Sequence, residues 1–468
     1  MAANAQVKDT TFVGAQIIEQ QPVESDFIVG EIRIIGNKRT KPQMLYRELL
    51  FAKGDTIRAD EWMQIRKQSA ENLFNTSLFN SVGIKVKSSQ TQIRDIEISV
   101  VERWYIWPIP VFEIDERNFN TWWQTKDLSR ASAGVFLTHN NFRGRREVLK
   151  VLLMAGYNQK LGFSYTAPYV NKKKTIGLGF QAIYTLRHEV NYKTEYDVQQ
   201  YLKLTDEPIQ RDLLASTHIT YRPNYFFTAF LQLRYRQYEF ADSLLKVNSN
   251  YAPATDGRLQ YMTIYGKFKY DRRDYKSYPL AGYYADLEIR NRGLGIFDND
   301  MDIWSVQTTM RKYWTLSQRW YYAASFTGKL GGSAGTGVQQ PYLFNRALGY
   351  GRDYVRTYQY YVVDGRSFGL LKMNLKFALI PPRKVKLNFI KTDKFNTIPY
   401  AFYLNAFFDA GYVDEPGETL TNKLPNRFIY GSGLGLDFVT YYDAVARFEF
   451  GVNHMGEMGF FLSFIAPI

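Results

Sequence analysis

The sequence predicts a small α+β domain followed by a large antiparallel β-barrel that spans a membrane. Helical periodicity is confined to residues before Trp104, and later segments place apolar residues at every second position. Tyr and Phe are also common, at 36 and 33 of 468 residues. Alternating strands and aromatic rings at two interfaces are typical of membrane barrels. Any single alternating segment would also suit a soluble β-sandwich, so the prediction depends on the segments taken together.

Composition limits the function classes. The formal charge of +14 favours an anionic partner or surface, and charge alone does not choose among nucleic acid, lipid head groups and lipopolysaccharide. The absence of Cys excludes disulfides, thiolate metal sites and cysteine nucleophiles. A mean hydropathy of −0.34 does not exclude a barrel, because spanning strands need only about 10 residues with alternate ones apolar.

The first hundred residues predict one small domain after a flexible lead. Residues 1–25 are polar and unpatterned and are predicted to be flexible. We expect Thr40 to cap a first helix that runs from Pro42 until Gly54 ends it, and Asp60 to start a second helix. The strands predicted around these helices are 28–34, 82–87 and 95–102. The order β-α-α-β-β predicts a sheet with both helices on one face.

Several motifs in residues 26–103 resemble those of a POTRA domain, the periplasmic module of the BamA-like and two-partner-secretion outer-membrane assembly superfamily. They are Gly36-Asn37, Lys53-Gly54-Asp55, Leu78-Phe79-Asn80-Ser81-Val82 and Val100-Val101-Glu102. The alternative is an unrelated ferredoxin-like domain. The resemblance implies a periplasmic location for this domain and a barrel after it.

Residues 104–468 are predicted to form that barrel. In residues 371–379, 433–438 and 447–452, apolar residues alternate with Lys, Asn, Asp, Arg, Glu or Gly. A charged interior is unfavourable in a dry sandwich core but suits a wet or plugged lumen. Short turns alternate with long loops, and counting the strands between them gives about sixteen, which is also the number in the resembling family. Asp271-Arg272-Arg273-Asp274 resembles a connection midway through such barrels, and we interpret it as a structural turn.

One long loop is predicted to fold inward, residues 329–368. Its Val355-Arg356-Thr357-Tyr358 resembles the Val-Arg-Gly-Phe/Tyr motif at the tip of the superfamily's inner loop. Thr357 replaces the usual Gly, which makes a positive φ unfavourable there. The resemblance implies that Arg356 pairs with acidic residues on the inner wall, and Asp409 and Asp437 stand in matching inward positions. The alternative is a solvated loop arginine.

The final strand resembles the signal that delivers membrane barrels for insertion. Gly459, Leu462 and Phe464 carry this resemblance, with Leu462 and Phe464 on a predicted lipid-facing side. Pairing of this strand with the first barrel strand, near Ile106 to Ile114, is predicted to close the cylinder.

Enzymatic and nucleic-acid functions are not predicted. The four His residues show no metal-ligand spacing, and Gly331-Gly332-Ser333-Ala334-Gly335 lacks the strand-to-helix context of a nucleophile elbow. We therefore predict no catalytic residues, no metal site and no cofactor. Basic residues alternate inward along strands instead of forming one patch, which argues against nucleic acid as a partner.

The resemblance implies a protein of the Gram-negative outer membrane, with its POTRA domain in the periplasm, that assembles or translocates other proteins. The expected partners are client outer-membrane or secreted polypeptides, the lipid bilayer and lipopolysaccharide, and periplasmic accessory proteins or chaperones. We expect clients to dock on the POTRA domain and to use a lateral seam between the first and last barrel strands. The alternatives are a secretion pore through the lumen and a passive channel.

Overall fold

The N-terminal part of the chain folds as a four-stranded sheet with two helices. In this computed structural model the described residues are 25–87, 92–114, 131–297, 301–333, 340–387, 396–417, 421–440 and 444–463. The elements are β1 (Phe27–Ile35), α1 (Pro42–Tyr46), β2 (Thr56–Ile57), α2 (Ala59–Phe74), β3 (Phe79–Val86) and β4 (Ile93–Glu102). The strand order is β2-β1-β4-β3, with β1 parallel to β4. This is the predicted arrangement with one additional two-residue strand, β2.

An aromatic core joins the helices to the sheet. Trp62 of α2 is buried between Phe27 and Phe51, with ring centroids 5.5 Å and 5.7 Å away in edge-on geometry. Leu45 of α1 and Leu73 of α2 are also fully buried in this cluster. Because the apolar face of each helix covers the same side of the sheet, the domain has a hydrophobic core of its own.

The helix starts differ from the predictions. The N-cap of α1 is Lys41, and Thr40 instead shares a hydrogen bond of 3.0 Å with the Tyr105 hydroxyl. The helix ends at Tyr46, well before Gly54. Asp60 lies within the first turn of α2, where its charge favours the helix N-terminus. The predicted role of Thr40 was wrong because a tertiary partner competes for its hydroxyl.

Most of the rest of the described chain builds one sixteen-stranded antiparallel sheet. Its strands are β5 (Ile106–Ile114), β6 (Ala131–Phe142), β7 (Glu147–Gly156), β8 (Gln159–Ala167), β9 (Ile176–Arg187), β12 (Gln210–Tyr221), β13 (Phe227–Phe240), β14 (Arg258–Asp271), β15 (Gly282–Gly293), β16 (Ile303–Thr315), β17 (Trp320–Ser333), β18 (Ser367–Lys386), β19 (Thr397–Asp414), β20 (Phe428–Val439), β21 (Val445–Asn453) and β22 (Met458–Ser463). A separate hairpin, β10 (Glu189–Glu195) with β11 (Val198–Lys203), and helix α3 (Asp242–Val247) lie in loops. Strands β5 and β22 form the two edges, and no ladder joins them within the described residues. The predicted pairing between the first and last strands is therefore not observed there.

Burial across this sheet is the reverse of that in a soluble protein. Leu434 and Phe450 are 68% and 54% exposed on the outer face, whereas Asp437 and Arg447 on the inner face are fully buried. Residues of successive strands repeat this pattern. A lipid-facing exterior explains the apolar outer surface, because hydrocarbon does not penalise it.

The sheet curls around a filled interior. The turn between β14 and β15 reaches across to β20, where the Tyr278 hydroxyl donates a hydrogen bond of 2.7 Å to Asp437 Oδ2. Phe74 of α2 packs against Tyr275 of the same turn, with ring centroids 5.6 Å apart. We use the name POTRA domain for residues 26–103 after the resemblance of their motifs, and we call the rim beside this domain the POTRA-side rim and the opposite one the distal rim.

A buried ion pair docks the POTRA domain onto the POTRA-side rim. Glu48 accepts hydrogen bonds from Arg222 Nη1 and Nη2 at 2.7 Å and 2.9 Å, and Arg47 donates to the Arg222 carbonyl at 3.0 Å. Burial alone would raise the pKa of Glu48, but Arg222, with Arg146 and Arg47 near by, outweighs it and lowers the pKa to about 2. The carboxylate is therefore more stable as an anion in the docked state than in water.

We expect Glu48→Gln to loosen this docking, because Arg222 then keeps a buried charge without its partner. The depressed pKa implies that the contribution, roughly 3 kcal/mol, is present above pH 4.5 and is lost as the pH falls toward 2. Spin labels at Lys53→Cys and Lys172→Cys report the distance between domain and rim in lipid nanodiscs.

The distance distribution should broaden in Glu48→Gln at pH 7 and in the unsubstituted protein only as the pH drops below about 4.5. Glu61→Gln, which removes an exposed ion pair with Arg58 inside the POTRA domain, is the matched control and should change nothing. A Glu48→Gln distribution identical to the control's would contradict this account of docking.

Candidate functional site

The long loop between β17 and β18 folds into the lumen. Its tip is a short 3-10 helix, Arg356–Tyr358, preceded by Val355 in extended conformation. Val355, Arg356 and Tyr358 are each at most 2% exposed, and Thr357 is also buried. Val355 and Tyr358 belong to an apolar cluster with Leu348 and residues of β18–β20, so the tip is packed against the wall and not solvated.

Arg356 meets Asp409 of β19 in a two-pronged ion pair. Its Nε donates to Asp409 Oδ2 at 2.8 Å, and its Nη2 donates to Oδ1. The backbone N–H of Arg356 donates to the same Oδ2 at 3.1 Å. A bidentate pair fixes the orientation of both groups, so this contact specifies where the loop tip lies.

The remaining donors of Arg356 are also satisfied by the wall. Its Nη1 donates to Asn374 Oδ1 at 2.7 Å and to Glu449 Oε1 at 3.3 Å, and its Nη2 donates to the Met373 carbonyl at 3.2 Å. The guanidinium carbon lies 4.2 Å from the centre of the Phe407 ring. Removing a fully buried charge from water is unfavourable unless every donor finds a partner, and strands β18, β19 and β21 supply those partners.

Asp437 lies inward, as predicted, but pairs with a different arginine. Arg447 Nε donates to Asp437 Oδ1 at 2.6 Å and its Nη2 to Oδ2 at 3.0 Å. Asn405 Nδ2 donates to Oδ1 at 2.8 Å. Glu449 lies 3.8 Å from Arg447 Nε as well as near Arg356, so it connects the two ion pairs into one network.

Two buried lysines lie beside this network. Lys372, opposite Asp409 in the ladder, has its Nζ 4.0 Å from Asp409 Oδ2 and 4.2 Å from the Tyr354 ring centre. Lys376 Nζ lies 4.0 Å from the centre of the Tyr278 ring. Together these charges hold two inserted segments, the loop tip and the β14–β15 turn, against one region of the wall. Within the described residues no group of three or more His, Asp or Glu could hold a metal ion.

A patch of glycines gives the tip its space. A Cβ at Gly431 would lie 1.9 Å from Thr357 Oγ1, and one at Gly451 would lie 2.8 Å from Thr357 Cγ2. One at Gly411 would lie 3.2 Å from Val355 Cγ2. Thr357 sits in the 3-10 turn without a positive φ, so its side chain, larger than the usual Gly, is accommodated by these wall glycines.

The loop also contacts the C-terminal hairpin. The Tyr358 hydroxyl hydrogen-bonds His454 Nδ1, and the Tyr361 hydroxyl donates to Glu457 Oε1 at 2.9 Å. The Tyr360 ring centre lies 6.1 Å from that of Phe461, on the last strand. The loop tip is therefore connected to the edge of the barrel sheet as well as to its wall.

The predicted C-terminal signal lies on β22. The Phe461 ring lies over the backbone of Gly459, where a Cβ would come within 2.5 Å of it. Leu462 is 48% exposed on the outer face. Phe464 lies outside the described residues.

None of the helices in the described ranges is long and apolar enough to cross a membrane.

Comparison with known families identifies the fold. The profile of the Omp85 superfamily domain matches residues 141–455. The chain belongs to the Omp85 superfamily. The POTRA family, described as a surface antigen variable number repeat, matches residues 27–103. Omp85 proteins are transporters for outer-membrane protein assembly and secretion, so this assignment confirms the predicted superfamily and fold class.

Two solved structures share the fold of this Omp85 protein at low sequence identity. BamA from Haemophilus ducreyi lacking POTRA domains 1–3 is 16% identical, with a TM-score of 0.51 over 93% of this chain and 83% of that one. CdiB from Escherichia coli is 11% identical, with a TM-score of 0.52 over 93% and 75%. A search of curated protein sequences gave no match.

Sequence reasoning missed three parts of the Omp85 loop site. Arg447 and Glu449 alternate with outward Phe residues, which marked them as inward but not as partners of the loop. The glycines at 431, 433 and 435 recur at every second position, and this period was the available signal for a smooth inner surface. The third part is His454, which follows β21 and has no distinguishing local pattern.

We expect Gly431→Val to displace the loop tip, because its branched side chain would occupy the position of Thr357. Overpacking of this kind typically destabilises by about 1–3 kcal/mol, so hydrogen exchange of amides 355–361 should accelerate roughly 5- to 150-fold. Adding Thr357→Gly removes the colliding side chain and should restore protection.

Gly266→Val is the control, since nothing lies within 4 Å of a Cβ at Gly266. Equal exchange in Gly431→Val and Gly266→Val, or no rescue by Thr357→Gly, would show that the glycine patch does not seat the tip.

Proposed function

We propose that this protein inserts client polypeptides into the outer membrane, or passes them across it, through a lateral seam between β5 and β22. The observation that carries this proposal is the anchored loop. Arg356 is fully buried among Asp409, Asn374 and Glu449, so the lumen at this level is occupied by a segment held by several charge-assisted hydrogen bonds. A route along the wall edge lets the loop tip and the wall shift together with their ion pairs kept, whereas a route through the lumen requires these ion pairs to break.

The chemistry of the two edge strands supports a weak seam. Pro108 and Pro110 in β5 have no backbone N–H, and proline within a sheet is confined to edge strands because it cannot donate to a ladder. Gly459 in β22 has no side chain to pack across the seam. An edge with few donors closes poorly and can accept an incoming strand by β-augmentation.

The loop can transmit a change at the seam to the lumen. Tyr361 bonds Glu457 just before β22, and Tyr360 contacts Phe461 within it. Since the same loop carries Arg356, strand exchange at β22 would pull on the anchored tip. The seam and the inner loop are therefore proposed to move together.

The POTRA domain is proposed to receive the client first. Strand β3 is the terminal strand of the four-stranded sheet in the described residues, and a terminal strand is where an extended polypeptide adds to a sheet. The exposed groups of β1 are less available, because the Tyr46 hydroxyl already donates to the Ile32 carbonyl at 3.3 Å. We propose that this domain lies in the periplasm, where accessory proteins or chaperones would reach the same edge, and that lipopolysaccharide and lipids contact the barrel exterior.

Photo-cross-linking in cells tests the seam. A photoreactive phenylalanine analogue at Phe460 or Ile109, both exposed on the outer face of the seam strands, should capture client polypeptides at least tenfold more than one at Leu231 on the opposite wall. A disulfide between Ile109→Cys and Phe460→Cys, or a neighbouring pair that forms more readily, should lock the seam. Clients should then no longer pass from the edge of the POTRA domain into the membrane.

The control disulfide joins Phe326→Cys to Leu371→Cys, which face each other across an existing ladder. Clients assembled normally by the seam-locked protein would contradict the lateral route. Cross-links from inward positions such as Asn374, with none from the seam, would instead support a secretion pore, and steady conductance with no captured polypeptide would support a passive channel.

A further inference from the structure

The distal half of the lumen contains a cavity of about 300 Å³ whose charged lining residues are all arginines. Their side chains come from four different segments, β9, β13, β15 and the inner loop, so the cavity is not the by-product of one basic stretch. The six are Arg187, Arg234, Arg236, Arg290, Arg292 and Arg346. No carboxylate is among the lining residues of the described chain. The cavity is separate from the Arg356 network and from the seam.

Strand register places the central arginines on both sides of a small residue. Thr263 of β14 pairs with Arg234 of β13 on one side and with Arg292 of β15 on the other. Neighbouring strands lie about 4.8 Å apart, so the two arginine backbones are roughly 10 Å apart with only a threonine between them. This spacing leaves room for a ligand that both guanidinium groups can reach.

Only part of this positive charge is balanced by protein carboxylates. Arg236 forms a bidentate pair with Asp212 at 2.9 Å and 2.6 Å. Arg290 lies 3.9 Å from Glu288. Within the described residues, the other four arginines of the cavity have no carboxylate within 4.0 Å.

The unbalanced arginines are held in place by rings and by the loop that covers them. The Arg292 guanidinium lies 5.5 Å from the centre of the Phe344 ring, and that of Arg346 lies 5.2 Å from Tyr350. The Nε atoms of Arg234 and Arg346 are shielded from solvent and make no hydrogen bond to the described protein. Ordered guanidinium groups with spare buried donors are typical of sites built for an anion.

The distal loops cover one side of the cavity. Phe344 and Leu343 of the inner loop line it together with Tyr251, and these residues lie in an apolar cluster with α3 and the β10–β11 hairpin. A roofed cavity of this volume is at the lower end of the range for small-molecule sites. Its small volume favours a compact ligand over an extended polypeptide.

We propose that this arginine cavity binds a compact ligand bearing two or more phosphate groups. Phosphate oxygens accept paired N–H donors from guanidinium groups, and two phosphates match the spacing of Arg234 and Arg292 across Thr263. The ligand would also balance the charge of Arg187 and Arg346 beneath the roof. The phosphate groups could belong to a soluble molecule or to a lipid head group, and the test separates these sources.

Isothermal titration of the purified full-length protein with inorganic pyrophosphate in an uncharged detergent tests the proposal. We expect one binding site per chain, whose affinity falls at least 100-fold in Arg234→Gln/Arg292→Gln. Arg258→Gln at the exposed start of β14 is the control and should bind within twofold of the unsubstituted protein. The absence of pyrophosphate binding would overturn the proposal. An equal loss of affinity in Arg234→Gln/Arg292→Gln and in Arg258→Gln would also overturn it, because it would show an adventitious ion only.

Stability of the substituted protein separates binding from folding. Because the two replaced arginines lack carboxylate partners, the double variant should unfold at the same temperature as the unsubstituted protein or higher in the absence of pyrophosphate. Arg234→Lys/Arg292→Lys keeps the charge but loses the forked geometry, and an intermediate affinity is expected. A Lys variant that binds as tightly as the original would overturn the assigned geometry.

Nanodiscs distinguish the two sources of phosphate. If pyrophosphate binds equally in phosphatidylcholine discs with and without cardiolipin, whose head group carries two phosphates, the site takes a soluble phosphorylated molecule. If cardiolipin competes in the unsubstituted protein, the site takes a lipid head group, and both results support the phosphate chemistry. Tighter binding of a tetraglutamate peptide than of pyrophosphate would overturn it in favour of an acidic polypeptide.

Discussion

A buried network of two arginines and three carboxylates determines how the interior of this Omp85 protein is organised. Arg356 and Arg447 alternate with Asp409, Glu449 and Asp437 along one side of the lumen. None of these charges reaches water, so each is stable only while its partners stay in place. The loop tip and the barrel wall therefore stabilise each other, because each supplies the partners that the buried charges of the other need.

The same constraint connects distant parts of the molecule. Asp437 accepts a hydrogen bond from Tyr278, whose turn packs on Phe74 of the POTRA domain, while Arg356 lies on the loop that contacts β22. Docking at the POTRA-side rim and pairing at the sheet edge are therefore connected through the buried ion-pair network. A lipid-facing exterior makes this charged interior possible, because the apolar side chains of the sheet face the hydrocarbon and the inner face is left for polar groups.

The sequence predicted the architecture because period-2 alternation and turn residues are local signals that sixteen strands repeat. It also placed Arg356, Asp409 and Asp437 inward. It could not assign Asp437 to Arg447 instead of Arg356, because partner choice depends on register between β20 and β21. The Thr40 cap and the length of α1 were wrong for a similar reason, since Tyr105 and the barrel turns compete for groups that local pattern assigns to a helix.

A double-mutant cycle on Arg356 and Asp409 tests the central claim most directly. Hydrogen exchange of amides 355–361 gives the free energy of loop opening in Arg356→Met, Asp409→Asn and the double variant. Each single substitution should lower it by about 3–5 kcal/mol, because it leaves a buried charge without its partner, and the double variant should be no worse than either. Additive losses, or single variants with unchanged exchange, would contradict the account.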